Sequence, residues 1–152
     1  MTARGLVLVR RARTGDVEGL LRLQHDAFGE DPWCLTRQGF EAFCSRRGIV
    51  VLVAVEDREP VGYAILHSRP FRPWTSLDYI AVVSARRRSG IGRALMAAAL
   101  PLVKRKSLRL FVRAANEAAI AFYELHGFER AGLRRGHYAD GADALAMIRV
   151  MR

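Results

Sequence analysis

The 152-residue chain has only two cysteines, Cys34 and Cys44, ten residues apart and outside any CxxC pattern. So little sulfur argues against a disulfide scaffold and a cysteine-based zinc site, and a reducing cytoplasm is the expected compartment. The four histidines, at 25, 67, 126 and 137, show no ligand spacing with acids or cysteines. No metal is therefore expected. No apolar run approaches the ~18 residues of a membrane span, so no membrane partner is expected. The apolar stretch Leu6–Val9 meets arginines at once. It is too short for a secretory signal and reads as a first strand. Repeats, low-complexity tracts and linkers are all missing, which leaves one domain over residues 1–152.

Lysine is nearly absent: Lys104 and Lys106 stand beside 23 arginines, and the 25 bases exceed 15 acids for a net charge of +10. Acid is scarce where it matters most. Between Glu59 and Glu117 the one acid is Asp78, while the same stretch holds eleven bases from Arg69 to Arg113. The middle of the chain is built to meet something anionic: nucleic acid, a phosphorylated cofactor or an acidic protein. Apolar residues at 51% and charged residues at 26% fit a soluble globular protein.

Periodicity predicts the elements. Residues 4–11 alternate loosely, as a strand does. Val17, Leu20, Leu21, Gln24 and Phe28 share helical spacing over 14–28, with Thr14 or Asp16 as cap and Asp31-Pro32 as breaker. A short helix follows over 36–46. Residues 48–56 and 60–67 form two strands joined by the polar turn Glu56-Asp57-Arg58-Glu59, an antiparallel hairpin. The segment 68–76, with two prolines, reads as a loop. A strand over 76–83, a basic loop, and a helix over 90–104 that Pro101 kinks or shortens come next. The remainder reads as a strand over 107–113, a helix over 117–126 stopped by Gly127, and strands over 128–135 and 142–151. The order β-α-α-β-β-β-α-β-α-β-β is a mixed α+β plan.

The strand 76–83 runs into Arg86-Arg87-Arg88-Ser89-Gly90-Ile91-Gly92, and a helix begins there. Two glycines let the backbone turn tightly and approach a ligand closely. A helix N-terminus presents N–H groups and partial positive charge, and the arginines add charge-assisted hydrogen bonds. Together they suit a pyrophosphate. A merely structural strand-to-helix turn has the same glycines. GxxxxGK[ST] is excluded because Arg93 and Ala94 follow Gly92, and a full GxGxxG because Leu95 fills its third position.

Arg87-Arg88-Ser89-Gly90-Ile91-Gly92 resembles the [Q/R]-x-x-G-x-[G/A] signature of the GNAT acetyltransferase superfamily, placed after a strand ending Ile80-Ala81-Val82. A second match lies 24 residues on: Asn116-Glu117-Ala118-Ala119-Ile120-Ala121-Phe122-Tyr123 resembles the family's N-x-x-A-x-x-x-Y helix, with Gly127-Phe128 after it. The resemblance covers nearly the whole chain. It implies a mixed, mostly antiparallel sheet of about seven strands, flanked by about four helices, with acetyl-CoA in a cleft between two splayed strands.

The resemblance also implies roles. Ile80, Ala81 and Val82 would offer backbone groups to the cofactor's arm, with the Ile80 amide polarising the acetyl carbonyl. Residues Arg87, Arg88, Ser89, Gly90, Ile91, Gly92 and Arg93 would hold the pyrophosphate, and Asn116 would hydrogen-bond the arm. Tyr123 would protonate the leaving thiolate, unless its ring only packs. An amine attacks only when neutral, so a base is needed. Asp78 shares a strand face with Ser76 and Ile80 and is either that base or the partner of an arginine. Tyr138, after His137, and Trp33 either line the substrate groove or pack; His126 reads as a helix C-terminal cap.

Within the family the chain is most similar to bacterial enzymes that acetylate the N-terminal alanine of a ribosomal protein. The likeness rests on Asp31-Pro32-Trp33, on Arg113 to Ala121, and on the ending Tyr138-x-x-Asp140-Gly141-x-Asp143-Ala144-Leu145-x-Met147. One position departs: those enzymes carry a catalytic glutamate five residues before the asparagine, where this chain has Phe111. The resemblance therefore implies an acetyl-CoA-dependent N-acetyltransferase acting on a protein N-terminus or on a small amine such as a polyamine, amino acid derivative or amine antibiotic. A CoA-binding sensor and a nucleic-acid-binding module are the readings from other classes. No nucleic-acid motif appears, and nucleic acid enters only through proximity to a ribosome. Monomer and homodimer both remain open.

Overall fold

The computed structural model describes residues 5–29, 31 and 33–152. Its elements follow the expected order: β1 (Val7–Arg11), α1 (Val17–Phe28), α2 (Arg37–Ser45), β2 (Ile49–Glu56), β3 (Glu59–His67), β4 (Trp74–Val82), α3 (Ile91–Ala99), β5 (Ser107–Arg113), α4 (Glu117–Leu125), β6 (Glu129–Arg134) and β7 (Ala144–Val150). The seven strands make one mixed sheet in the order β1-β2-β3-β4-β5-β7-β6. β4 and β5 run parallel, while β1–β2, β2–β3, β5–β7 and β6–β7 are antiparallel. Two compact units are distinguished, Met1–His67 with Tyr79–Leu102, and Ser68–Asp78 with Val103–Arg152. Among the described residues no helix is long and apolar enough to cross a membrane.

The first unit holds the larger core. Val17, Leu20 and Leu23 of α1 and Phe40 of α2 bury against Val51 and Val53 of β2 and Tyr63 and Ile65 of β3. The expected hairpin closes on two residues, Asp57 and Arg58, both in left-handed conformation (φ 50° and 65°). That is the turn whose twist matches paired strands. Buried Gln24 donates to the Leu35 carbonyl and accepts the Leu35 N–H, both at 2.8 Å, and so fixes the α1–α2 connection. Gly62 is confined by its neighbours: a Cβ there would stand 3.0 Å from the Ala81 carbonyl oxygen and 3.0 Å from Ile91 Cγ2. Its missing side chain lets β3, β4 and α3 approach.

In the second unit β5 pairs with β7 along its whole length, from Ser107↔Val150 to Arg113↔Ala144. Leu108, Leu110, Met147, Ile120 and Phe128 are buried. α4 ends at His126, whose N–H donates to the Tyr123 carbonyl at 3.0 Å, as its expected capping place requires.

Four expectations shift. α1 ends at Phe28 as expected, with Gly29 (φ 60°) at its C-cap, but starts only at Val17, after a 3-10 turn over Thr14–Asp16; the breaker Pro32, like Arg4 of the first strand, lies outside the described residues. Neither Thr14 nor Asp16 caps α1 through its side chain: Asp16 turns back to the Arg13 N–H at 2.7 Å and to the Arg10 guanidinium at 2.7 and 2.9 Å. β4 begins at Trp74, inside the expected loop, because Trp74 pairs with Ser107. α3 stops at Ala99 and tightens into a 3-10 turn over Leu100–Leu102, the shortening expected of Pro101.

Candidate active site

The glycine turn belongs to the first unit. The pairing of β4 with β5 runs only from Trp74↔Ser107 to Ser76↔Arg109, so Ile80, Ala81 and Val82 extend past the last β5 partner. The Val83 N–H donates to the Val61 carbonyl at 2.9 Å and fixes the exit of β4. A 3-10 turn, Ser84–Arg86, follows and is held at both ends. The Ser84 N–H and hydroxyl donate to the Asp26 carboxylate at 2.7 and 2.9 Å, and these bonds keep Asp26 below the usual carboxylate range. Arg86 donates to buried Glu56 at 2.8 Å. Arg86 is thus turned inward, and Arg87 and Arg88 remain exposed.

The chain then turns through Arg88 (φ 61°) and Gly90 (φ 89°), with the Ser89 hydroxyl donating to the Arg86 carbonyl. A Cβ on Gly90 would meet nothing within 4 Å. Gly90 occupies the cap position of α3 and offers no side-chain acceptor; the first helical bond runs from the Ala94 N–H to the Gly90 carbonyl at 3.0 Å. The N–H groups of Ile91, Gly92 and Arg93 therefore lack an intrahelical partner. Unpaired N–H donors, the helix dipole and exposed Arg87, Arg88 and Arg93 thus occupy one short segment, a composition that fits a phosphate group. Buried Ile91 holds the helix start in place.

Trp33 lies in the same unit and is 54% exposed, so it is not a packed core aromatic. Its N–H donates to Asp31 Oδ1 at 2.9 Å, and its carbonyl accepts the Tyr79 hydroxyl.

The second unit carries the other candidates. Asn116 caps α4, its Oδ1 accepting the Ala119 N–H at 3.1 Å. Tyr123 is buried, edge-on to Phe128 at 5.6 Å. Burial, reinforced by nearby Tyr138, pushes its phenol well above the ordinary tyrosine range, so it is held protonated. Asp78 lies 3.7 Å from Arg69, whose guanidinium also donates to Ser76 Oγ at 2.9 Å. The arginine pairing expected as the alternative for Asp78 is present, at a distance longer than a hydrogen bond.

Strand register relates Asp78 to the position that departs from the family. Ser76 pairs with Arg109, and alternate residues share a face. Asp78 and Phe111, each two residues on, therefore fall on one face of adjacent strands. Phe111 is half exposed, with the His137 ring 4.8 Å away and the Arg134 guanidinium 4.7 Å from its centroid. Tyr138 stands edge-on to His137 at 5.0 Å and carries Arg113 at 4.3 Å; Arg113 also pairs with Asp140 at 2.8 Å. Phe111, Arg134, His137 and Arg113 form a cluster that sequence reading missed. Its one signal was the aromatic residue at the family's acidic position. Among the described residues no group of three or more His, Cys, Asp or Glu could hold a metal ion.

Comparison with known proteins bears on both units. The model of the acetyltransferase (GNAT) family matches residues 17–128. An uncharacterised protein of Mycobacterium leprae is 34% identical over 149 residues, covering 94% of this chain and 40% of that protein, so the chain spans less than half of that relative. An N-alpha-acetyltransferase of Saccharolobus solfataricus is 28% identical over 160 residues, covering 93% of this chain and 91% of that one. The ribosomal protein bS18-alanine N-acetyltransferase of Escherichia coli is 43% identical over 78 residues, 47% of this chain and 53% of that one. A crystal structure of the E. coli enzyme superposes with a TM-score of 0.82 at 26% identity, over 95% of this chain and 94% of that one.

Proposed function

This chain belongs to the acetyltransferase (GNAT) family, and from that premise we propose that it is an acetyl-CoA-dependent N-acetyltransferase acting on the N-terminal amine of a peptide or protein. The observation that carries the reading is the open, uncapped first turn of α3 behind Gly90, in the family's phosphate-binding position. The family match runs through residues of both units, which supports one acetyltransferase domain over 1–152. The free thiols Cys34 and Cys44 suit the cytoplasm.

When bound, acetyl-CoA supplies an acetyl group activated as a thioester. The residues of this chain do the rest. Backbone N–H groups of Ile91, Gly92 and Arg93, with the side chains of Arg87, Arg88 and Arg93, bind the pyrophosphate. Ser89 and Gly90 shape the turn that presents them. Ile80, Ala81 and Val82 offer the cofactor's arm a strand edge past the last β5 partner, and the Ile80 N–H donates to the acetyl oxygen as it gains charge. The oxygen of Asn116 is used in capping, so its Nδ2 hydrogens are the donors for the arm. Asp78 accepts the proton of the attacking amine, directly or through water. Tyr123, held protonated, gives its proton to the departing thiolate. Trp33 and Tyr138 contact the acceptor.

Phe111 favours a second reading, a small amine as acceptor, because the glutamate of the ribosomal-protein enzymes is missing there. Free-thiol release from acetyl-CoA, followed against N-terminal peptides and small amines, decides between them. Tyr123→Phe and Asp78→Asn are each expected to lower kcat by roughly 100-fold. Turnover of small amines alone rejects the peptide reading, and full activity of both variants rejects the assigned acid and base.

A further inference from the structure

On one face of the second unit, positive charge is stacked on aromatic rings around the position where related enzymes carry a glutamate. Arg134 lies over Phe111 at 4.7 Å, Arg109 over Trp74 at 4.1 Å, and Arg113 over Tyr138 at 4.3 Å. The strand between them allows this. β7 sets Ala146 opposite Phe111, and Ala144 opposite both Arg113 and Arg134, so small residues separate the arginines of β5 and β6. Asp78 and Asp140 are each paired to an arginine, at 3.7 and 2.8 Å. Arg109 and Arg134 have no carboxylate partner among the described residues; each lies over a ring, and the Arg109 Nε–H also donates to Ser107 Oγ at 3.3 Å. A guanidinium over a ring still has N–H groups to offer, and its planar fork matches a carboxylate in two-point geometry.

We infer that the acceptor is an anionic amine, a peptide N-terminus followed within two or three residues by Asp or Glu. The inference rests on the N-acetyltransferase reading and names its substrate class. The amine enters beside Asp78, and the carboxylates that follow it reach Arg134 and Arg109. Substitution of the acidic residue by Phe111 removes the group that would repel them. In the reaction the N–C bond forms as the C–S bond breaks. The amine proton passes to Asp78, and the thiolate takes the proton of Tyr123. A basic N-terminus would place like charges together on this face.

The test compares Ala-Glu-Glu, Ala-Gln-Gln and Ala-Lys-Lys peptides of otherwise equal sequence, with free glutamate beside them. Thiol release gives kcat and KM, and anisotropy of C-terminally labelled peptides gives binding. Two solvent-accessible charge pairs at about threefold each predict that the Glu peptide exceeds the Lys peptide by about tenfold in affinity and kcat/KM, chiefly through KM. The gap closes in ~0.5 M salt. Arg134→Gln and Arg109→Gln each narrow it by roughly threefold. Equal or tighter binding of the Lys peptide, or a gap that both substitutions leave intact, overturns the inference. So does acetylation of free glutamate without any peptide, or a single-stranded RNA oligonucleotide that binds tighter than the Glu peptide and displaces it. If no amine turns over at all, the acetyltransferase reading falls, and the binding panel still decides the charge preference.

Discussion

Adding one methyl group at position 62 tests the packing that positions the cofactor strand. The Cβ of Gly62→Ala would stand 3.0 Å from the Ala81 carbonyl oxygen, 3.0 Å from Ile91 Cγ2 and 3.1 Å from Leu95 Cδ1. Carbon–oxygen contacts ordinarily lie at about 3.3–3.6 Å, so the carbonyl must move by several tenths of an ångström. Leu95 Cδ1 can swing on its side chain, but the carbonyl oxygen moves only with β4. Ala81 lies between Ile80 and Val82, and Ile91 begins α3, so the displacement reaches both halves of the proposed cofactor site. Overpacking of this kind costs roughly 1–3 kcal/mol. At about 2–4 °C per kcal/mol for a chain of this size, Tm falls by roughly 2–12 °C. Thermal denaturation of the two proteins gives the first number, and KM for acetyl-CoA, expected to rise several-fold, gives the second. A Tm within about 1 °C of the parent, with an unchanged KM, would refute the argument that β3, β4 and α3 touch at Gly62.

Gly90→Ala meets no atom within 4 Å, so its cost comes from the left-handed φ of 89° alone. About 1–2 kcal/mol is expected, with a rise in KM for acetyl-CoA and little change in kcat; a stability loss with unchanged KM removes the turn from the cofactor site. The hydroxyl of Tyr63 is fully buried without a hydrogen-bond partner among the described residues, while its ring meets Phe40 at 5.8 Å. Tyr63→Phe should be neutral or stabilising by up to ~1 kcal/mol in urea unfolding, and a clear loss would contradict the unpaired hydroxyl. The Arg10 guanidinium, with the Arg13 N–H, holds Asp16 below the usual carboxylate range. Its contribution is therefore full above that range and is lost as pH falls through the lower folded-state value. Asp16→Asn should lower Tm at pH 7, with the difference fading toward pH ~2; a gap constant with pH is the contrary result.

The order of all eleven elements was legible because each long element carries its own period. The apolar face of α1 and the β-branched runs of β2 and β3 need no distant partner to be recognised. Boundaries set by tertiary pairing were not legible. Trp74 belongs to β4 only because Ser107 lies beside it, 33 residues away in the chain. The glycine turn ahead of α3 could be read because its glycines, arginines and helix start are contiguous. The cluster around Phe111 could not, because Arg134 and His137 are 23 and 26 residues further on and meet Phe111 only after β6 and β7 fold back. Likewise the residues at 86–88 looked equivalent as three arginines in a row. Only Glu56, thirty residues earlier, separates half-buried Arg86 from its exposed neighbours.

The anchors on the 3-10 turn have a thermodynamic consequence. Asp26 clamps Ser84 at one end and Glu56 holds Arg86 at the other, both through contacts within the chain itself. Ordering a free backbone loses roughly 1–2 kcal/mol per residue in conformational entropy. For residues 84–86 that loss is incurred during folding rather than on binding. In the proposed cofactor site, an anion held at α3 would not have to order residues 84–86, so that share of its attraction would go into affinity.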